Sequence, residues 1–409
     1  MNHLTAEQRA LLLLLRRSLW GESGSFPPGI DWETVAAIAK DHAVVSLAYD
    51  GAVAAAAAVP EALLENWKKT LLRGVLHNER LLIAQDVLLA RFAEAGIPAV
   101  VLKGSSVARY YPQPELRVLG DIDILVREAD LEAVAGIMEA QGYIKQESDH
   151  GFHIGYARAG AYVEIHYHVT DFPDSAGGHA AEKVTAHFLE DIHPGTVGNH
   201  TFPVLSESHQ AISLLLHMIR HMFSTGIGLR QLCDWAVYVS SVDPALFVGE
   251  TIPLLSQCGL LRYAEVATGA CVEYLGLPDQ HLSWCAGVEK DVCRAFAADV
   301  FRSGNMGAAN TEAMGSLFTD REAMGRKQAP VQALAVGVNR LAYMHFPVMR
   351  KYRILLPLAW VYLPLRYFVR SLLGLRPKKS AVKVVVSAKK RRDLYEKLRM
   401  FEIDQKESR

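Results

Sequence analysis

No basic excess marks this sequence: 43 Lys and Arg stand against 44 Asp and Glu, a formal net charge of −1. Proteins that grip long nucleic acid concentrate positive charge, so duplex DNA or RNA is a poor partner for this one. Cysteine is scarce as well. Cys233, Cys258, Cys271, Cys285 and Cys293 are an odd set without a CxxC pair, which argues against a disulfide framework and a zinc knuckle. They read as small apolar residues on buried helix faces in a reducing compartment. The N-terminal stretch MNHLTAEQRALLLLLRRSLW has a leucine run that is short, with Arg16 and Arg17 after it rather than before it. It is expected to be an amphipathic helix with Thr5 and Gln8 at capping-box spacing, not a signal peptide. P-loop, GxGxxG and GxSxG signatures are missing too, and with them the sequence basis for the chemistries they carry.

What is present is a large apolar fraction. Half of the 409 residues are hydrophobic and 21% are charged, enough for a sizeable core spread over two or three structural units. Residues 1–95 follow a helical period rich in alanine and leucine, with Leu81, Leu82, Leu88, Leu89 and Phe92 on one stripe and Gly96 as a C-terminal cap. Between 96 and 205 the grammar changes to short strands with a helix between them. Pro98-Ala99-Val100-Val101-Leu102 is a short apolar run, too brief for a helix after a proline, and reads as a buried strand. The stretch LGDIDILV alternates, with Ile122 and Ile124 on one face and Asp121 and Asp123 on the other. A helix over 131–141 follows, and YVEIHYH alternates again, setting Val163 and Ile165 against Glu164 and His166. From 206 to 346 the helical period returns. The remaining stretch, 347–409, is apolar and then basic. Residues 354–365 are uncharged but too short for the about twenty that span a bilayer. The arm 354–395 is expected either to pack on the helical region or to lie at a membrane surface. The expected class is α+β, a mixed sheet flanked by helices between two helical regions.

Two carboxylates at i and i+2 on an apolar strand repel each other and each wants water. A divalent cation resolves that conflict, and hard Mg²⁺ prefers carboxylate oxygen. Glu164, on a separate alternating strand, supplies a third carboxylate, which is the number a two-metal centre needs. Gly104-Ser105-Ser106 follows the first strand as a turn suited to phosphate oxygens, and Lys103 and Arg117 are close enough in sequence to neutralise phosphate charge.

The stretch VVLKGSSVARYYPQPELRVLGDIDILV, a helix, and then VEIHYH resemble the DNA polymerase β-like nucleotidyltransferase superfamily. More closely, it looks like an uncharacterised bacterial nucleotidyltransferase family whose signature is LKG, a gap, then R…DIDLLV and a later EIH. KDHAVVSLAYDG, HMIRHMFSTGIGLRQLCDW and ILLPLAW are similar to that family's helical flanks, so the resemblance extends over most of the chain. It implies that Gly104 and Ser105 bind a nucleoside triphosphate, that Asp121 and Asp123 hold metal, and that Glu164 assists the acceptor. One departure is a longer gap between Ser105 and Asp121, holding Tyr110, Tyr111 and two prolines, which bears on the choice of base.

The activity expected is transfer of a nucleoside monophosphate from an NTP to a hydroxyl-type acceptor, with two Mg²⁺ ions and release of pyrophosphate. The acceptor is expected to be a small molecule or protein rather than nucleic acid, and the location cytoplasmic or peripheral at the inner membrane. Two alternatives stand beside this: a DxD metal-dependent glycosyltransferase, and a non-catalytic nucleotide-binding scaffold at a membrane. His153, His166 and His168 suggest a transition-metal site but no tetrahedral ligand set. His217 and His221, at i and i+4, lack the glutamate of a zincin and read as packed or substrate-facing. Arg230 and Asp234 read first as an intrahelical ion pair, and second as a device for closing the nucleotide cleft.

Overall fold

The computed structural model describes residues 3–146, 151–278, 283–305, 349, 355–360, 362 and 391–403. Four helices open the chain: α1 Ala6–Trp20, α2 Trp32–Asp41, α3 Val45–Ala54 and the long α4 Glu61–Glu94. Thr5 and Gln8 form a capping box in which each side chain bonds the other's backbone N–H, at 3.2 and 3.1 Å. Leucine, alanine and long charged residues favour α4, and Gly96 closes it at φ +70° with the Ile97 N–H on the Phe92 carbonyl at 2.8 Å.

The central elements are β1 Ala99–Val101, α5 Ser105–Ala108, β2 Ile122–Val126, α6 Leu131–Ala140, β3 Ile144–Lys145, β4 His153–Arg158, β5 Ala161–His166, α7 Ala176–Ala186, β6 Ile192–Val197 and β7 His200–Leu205. The seven strands make one mixed sheet in the order β3-β4-β5-β2-β1-β7-β6. β2 is antiparallel to β1 and parallel to β5, so the two carboxylate-bearing strands are direct neighbours. This is an α+β fold. The helices that follow are α8 Glu207–Ser224, α9 Leu229–Ser241, α10 Pro244–Leu246, α11 Ile252–Gln257, α12 Leu261–Leu275 and α13 Lys290–Ser303.

The period-2 alternation of the strands sends their side chains into two different interiors. Val101, Ile122, Ile124, Val163 and Ile165 pack against Leu81, Leu88 and Phe92 of α4 and Val134 and Met138 of α6. Val100, Leu102, Leu125 and Leu205 face the other way, into a larger core shared by α1, α3, α8, α9, α12 and α13. The N-terminal and C-terminal helical regions therefore bury their apolar faces together. Arg16 of α1 donates to the Glu273 and Tyr274 carbonyls at 2.6 and 3.0 Å, and the Trp20 indole to the Leu275 carbonyl at 2.7 Å. All five cysteines are buried and unbridged.

Residues 391–403 return to this second core, where Leu394, Tyr395, Leu398 and Phe401 are buried. The expected helices over 306–346 and most of the apolar and basic arm lie outside the described residues. No helix among the described residues is long and apolar enough to cross a membrane.

Candidate active site

The second face of the sheet carries the polar cluster. Asp123 and Glu164 are register partners across the parallel β2–β5 pair, and Asp121 stands two residues earlier on the same side as Asp123. One carboxylate oxygen from each of Asp121, Asp123 and Glu164 lies within 4.8 Å of the others. Asp123 is 1% exposed, while Asp121 and Glu164 are half-buried at the rim. Three anions in so little space raise one another's protonation tendency. Burial and the Asp123 charge push Asp121 above the usual carboxylate range.

Two cations relieve part of this crowding. Lys103, just after β1, places its ammonium 2.8 Å from Asp123 Oδ1 and 3.8 Å from Glu164. Burial alone would lower its pKa, but Asp123, Asp121 and Glu164 together hold it above the ordinary lysine value. His166 Nε2 lies 3.1 Å from Asp123 Oδ1 and 3.3 Å from Glu164 Oε2. Burial disfavours its charged form, yet those two carboxylates raise its pKa above the ordinary imidazole value. Glu164 is held well below the usual range: burial opposes this, but the His166 hydrogen bond and the Lys103 charge outweigh it. The second oxygen of Asp123, Oδ2, is buried with no hydrogen-bond partner. A buried carboxylate oxygen left bare is costly, and a cation is the group that satisfies it. The oxygen-only donor set of Asp121, Asp123 and Glu164 fits a hard divalent ion.

The turn after β1 is built from Gly104, whose φ of +65° and ψ of −111° favour glycine. The N–H groups of Ser106, Val107 and Ala108 close onto the Lys103 and Gly104 carbonyls. The Ser105 hydroxyl turns the other way, donating to Gln85 of α4 at 2.6 Å. It therefore anchors the turn to α4 through its side chain.

Arg117 goes elsewhere. Its guanidinium meets both oxygens of Asp234 on α9, at 2.7 and 2.8 Å, and the Tyr111 hydroxyl adds a 2.7 Å bond to the same carboxylate. The expected phosphate contact of Arg117 is replaced by a buried structural pair, because Asp234 offers a closer anion. The expected intrahelical pair of Arg230 and Asp234 is corrected by the same contact. The long gap between Ser105 and Asp121 serves this anchoring: Tyr111 binds Asp234, while Tyr110 and Arg109 bind Glu207 of α8.

Arg230 is left facing the carboxylate cluster from α9. Its Nη1 donates a long 3.4 Å hydrogen bond to the Val118 carbonyl, and its Nε is buried with no partner. Burial and the nearby Arg117 charge pull its pKa below the ordinary guanidinium value, against the pull of Asp234 and Asp121. The spacing hid this, since an i, i+4 neighbour looked like sufficient compensation. His217 and His221 of α8 stack edge-on, 4.4 Å between ring centroids. Burial, then the Lys103 charge, depresses both, His221 down to about 3.

Two further residues act from α4. Asn78 takes the Leu119 N–H at 2.8 Å and donates to the Arg117 carbonyl at 2.9 Å, fixing the segment that leads into β2. Asn78 and Gln85 are seven residues apart within the leucine stripe of α4 and are 5% and 2% exposed. Polar side chains at core positions of an apolar stripe were the available signal for both. His153, on β4, is the register partner of His166, and it joins Glu164 and His166 in a second group of ligand atoms within 4.8 Å. His168 is outside it, half-exposed beside Glu128.

A family model described as an uncharacterised nucleotidyltransferase matches residues 28–276, which takes in α2 through α12 and all seven strands. No curated protein matches the chain.

Proposed function

The chain belongs to this family of uncharacterised nucleotidyltransferases, and on that footing we propose that it moves a nucleoside monophosphate from a nucleoside triphosphate to a hydroxyl-type acceptor. The acceptor oxygen bonds to the α-phosphorus as the bond to the bridging β-phosphate oxygen breaks, pyrophosphate leaves, and the acceptor proton passes to a base. The observation that carries this reading is the convergence of Asp121, Asp123 and Glu164 from two neighbouring strands on one spot, with Asp123 Oδ2 unsatisfied.

Asp121, Asp123 and Glu164 hold Mg²⁺, two ions in all. Bound there, the ions neutralise charge on the phosphoryl oxygens and orient the attacking and leaving groups. The protein's own groups do the rest. Gly104 and Ser105 present backbone N–H groups to the triphosphate, and the glycine turn keeps side-chain bulk away from it. Lys103 balances the carboxylates and gives its charge to a phosphate when the cluster is occupied. Arg230 supplies the second cation, the part Arg117 is not placed to play. Glu164, at the rim, accepts the acceptor's proton or orients its hydroxyl. The near-zero net charge favours a small molecule or a protein as acceptor over a long nucleic acid. Family membership favours nucleotidyl transfer over the sugar transfer that a DxD pair also serves elsewhere.

The test is incubation of the full chain with each of the four nucleoside triphosphates, Mg²⁺ and a cell lysate. Mass spectrometry would look for nucleoside-monophosphate additions while pyrophosphate is assayed. Transfer is expected with at least one triphosphate, falling by about a thousandfold in Asp123→Asn, the scale of losing one main electrostatic contact to a transition state. An Asp123→Asn protein working at the wild-type rate would overturn the assignment.

A further inference from the structure

We propose that His153 and His166 extend the carboxylate cluster into a second subsite of different chemistry, which takes a divalent transition ion of the Mn²⁺, Co²⁺ or Zn²⁺ class on His153, Glu164 and His166. The inference rests on the nucleotidyl-transfer reading only through Glu164, which belongs to both groups.

The backbone makes the pairing. β4 and β5 run antiparallel with His153 directly opposite His166, so both imidazoles leave the sheet on the carboxylate face. Both side chains are 2% exposed and their ring centroids are 5.1 Å apart. Glu164 divides its oxygens between them: Oε1 lies 3.7 Å from His153 Nε2, and Oε2 lies 3.3 Å from His166 Nε2. Ligand atoms that share one ion at about 2.1 Å stand about 3.0 to 3.4 Å apart, according to whether the geometry is octahedral or tetrahedral. The separations here are close to that range, and 3.7 Å is too long for a hydrogen bond.

His166 also has the orienting contact that metal-binding histidines use. Its Nδ1 lies 3.4 Å from the His168 carbonyl oxygen, which can only accept, so Nδ1 carries the proton. Nε2 is then the nitrogen that faces the carboxylates and the one that would meet an ion. Two imidazole nitrogens with one carboxylate make a softer donor set than the aspartate pair, and they select borderline ions where the aspartates take Mg²⁺.

Full-length protein stripped by chelator and reloaded with Mn²⁺ would be read by pulsed EPR and by titration. The expected result is nitrogen hyperfine coupling from directly bound imidazole and three Mn²⁺ per chain. His153→Ala and the bulkier His153→Gln should each drop the count to two and weaken Co²⁺ binding at least about tenfold. Wild-type protein without nitrogen coupling would overturn the proposal, and this reading needs no variant to fold. So would His153 variants that keep all three ions at wild-type affinity. Nitrogen coupling in wild-type protein that transfers no nucleotide would sustain this subsite while the nucleotidyl-transfer reading failed.

Discussion

Two buried ion clusters lie close together in this chain and are built on opposite terms. The first joins Arg117, Asp234 and Tyr111. One cation meets one anion through two parallel bonds, both carboxylate oxygens are taken, and burial with the Asp234 charge keeps the tyrosine protonated. The second joins Asp121, Asp123 and Glu164 to Lys103 and His166, with an oxygen of the most buried member left bare. The closed cluster satisfies its charges internally and ties the segment before β2 to α9. The open one leaves a buried carboxylate oxygen unsatisfied among three close acids, and that crowding suits a cation-binding centre. Burial and charge alone do not separate structural from functional groups here. Completeness of satisfaction does.

The difference is broken most forcefully from the closed side. Arg117→Met leaves Asp234 as a buried carboxylate with only Tyr111 to bond, and removing one partner of a buried pair costs about 3–5 kcal/mol. Denaturant unfolding should show that loss. The protein that remains folded should keep its response to Mg²⁺, because the carboxylate cluster is untouched. A loss under about 1 kcal/mol would mean that water already shares the pair, and the contrast would weaken.

The open cluster should behave the other way. Asp123→Asn gives up charge-assisted bonds to Lys103 and His166 but relieves repulsion from Asp121 and Glu164, so the metal-free protein should change by about 1 kcal/mol or less. What it should lose is linkage. Mg²⁺ at a hundred times its dissociation constant should stabilise the wild type by about 2.7 kcal/mol, and the variant should gain almost nothing. Thermal unfolding with and without Mg²⁺ reads both quantities. Equal shifts in the two proteins would place the ion elsewhere.

The two clusters also differ in how legible they were. Strands β2 and β5 announced themselves, since one face had to be apolar to pack on α4 and the other carried the acids. Their pairing put three widely spaced carboxylates together without any contact that local sequence would reveal. Strands β6 and β7 were harder to read, because Pro194, Gly195 and Pro203 punctuate them as a loop would be punctuated, and β4 carries Gly155. The closed cluster left no local trace at all. Arg117 and Asp234 are 117 positions apart, and the helical spacing of Arg230 to Asp234 offered a nearer but wrong partner. The bond from the Ser105 hydroxyl to Gln85, twenty positions upstream, is equally invisible to local spacing. Periodicity reports which face is buried; it is silent on which distant polar group completes a bond.

Arg230 tests the boundary between the two clusters, because it stands between Asp234 and Asp121 and is satisfied by neither. If it waits for a triphosphate, Arg230→Gln should raise the KM for nucleotide about tenfold, about 1.4 kcal/mol, with a smaller effect on kcat. Folding stability should hold or rise slightly, since a buried guanidinium with a bare Nε is removed. Steady-state kinetics beside thermal unfolding separates this from a structural role. An unchanged KM with a clear drop in stability would move Arg230 into the closed cluster and leave Lys103 as the cation for the phosphates.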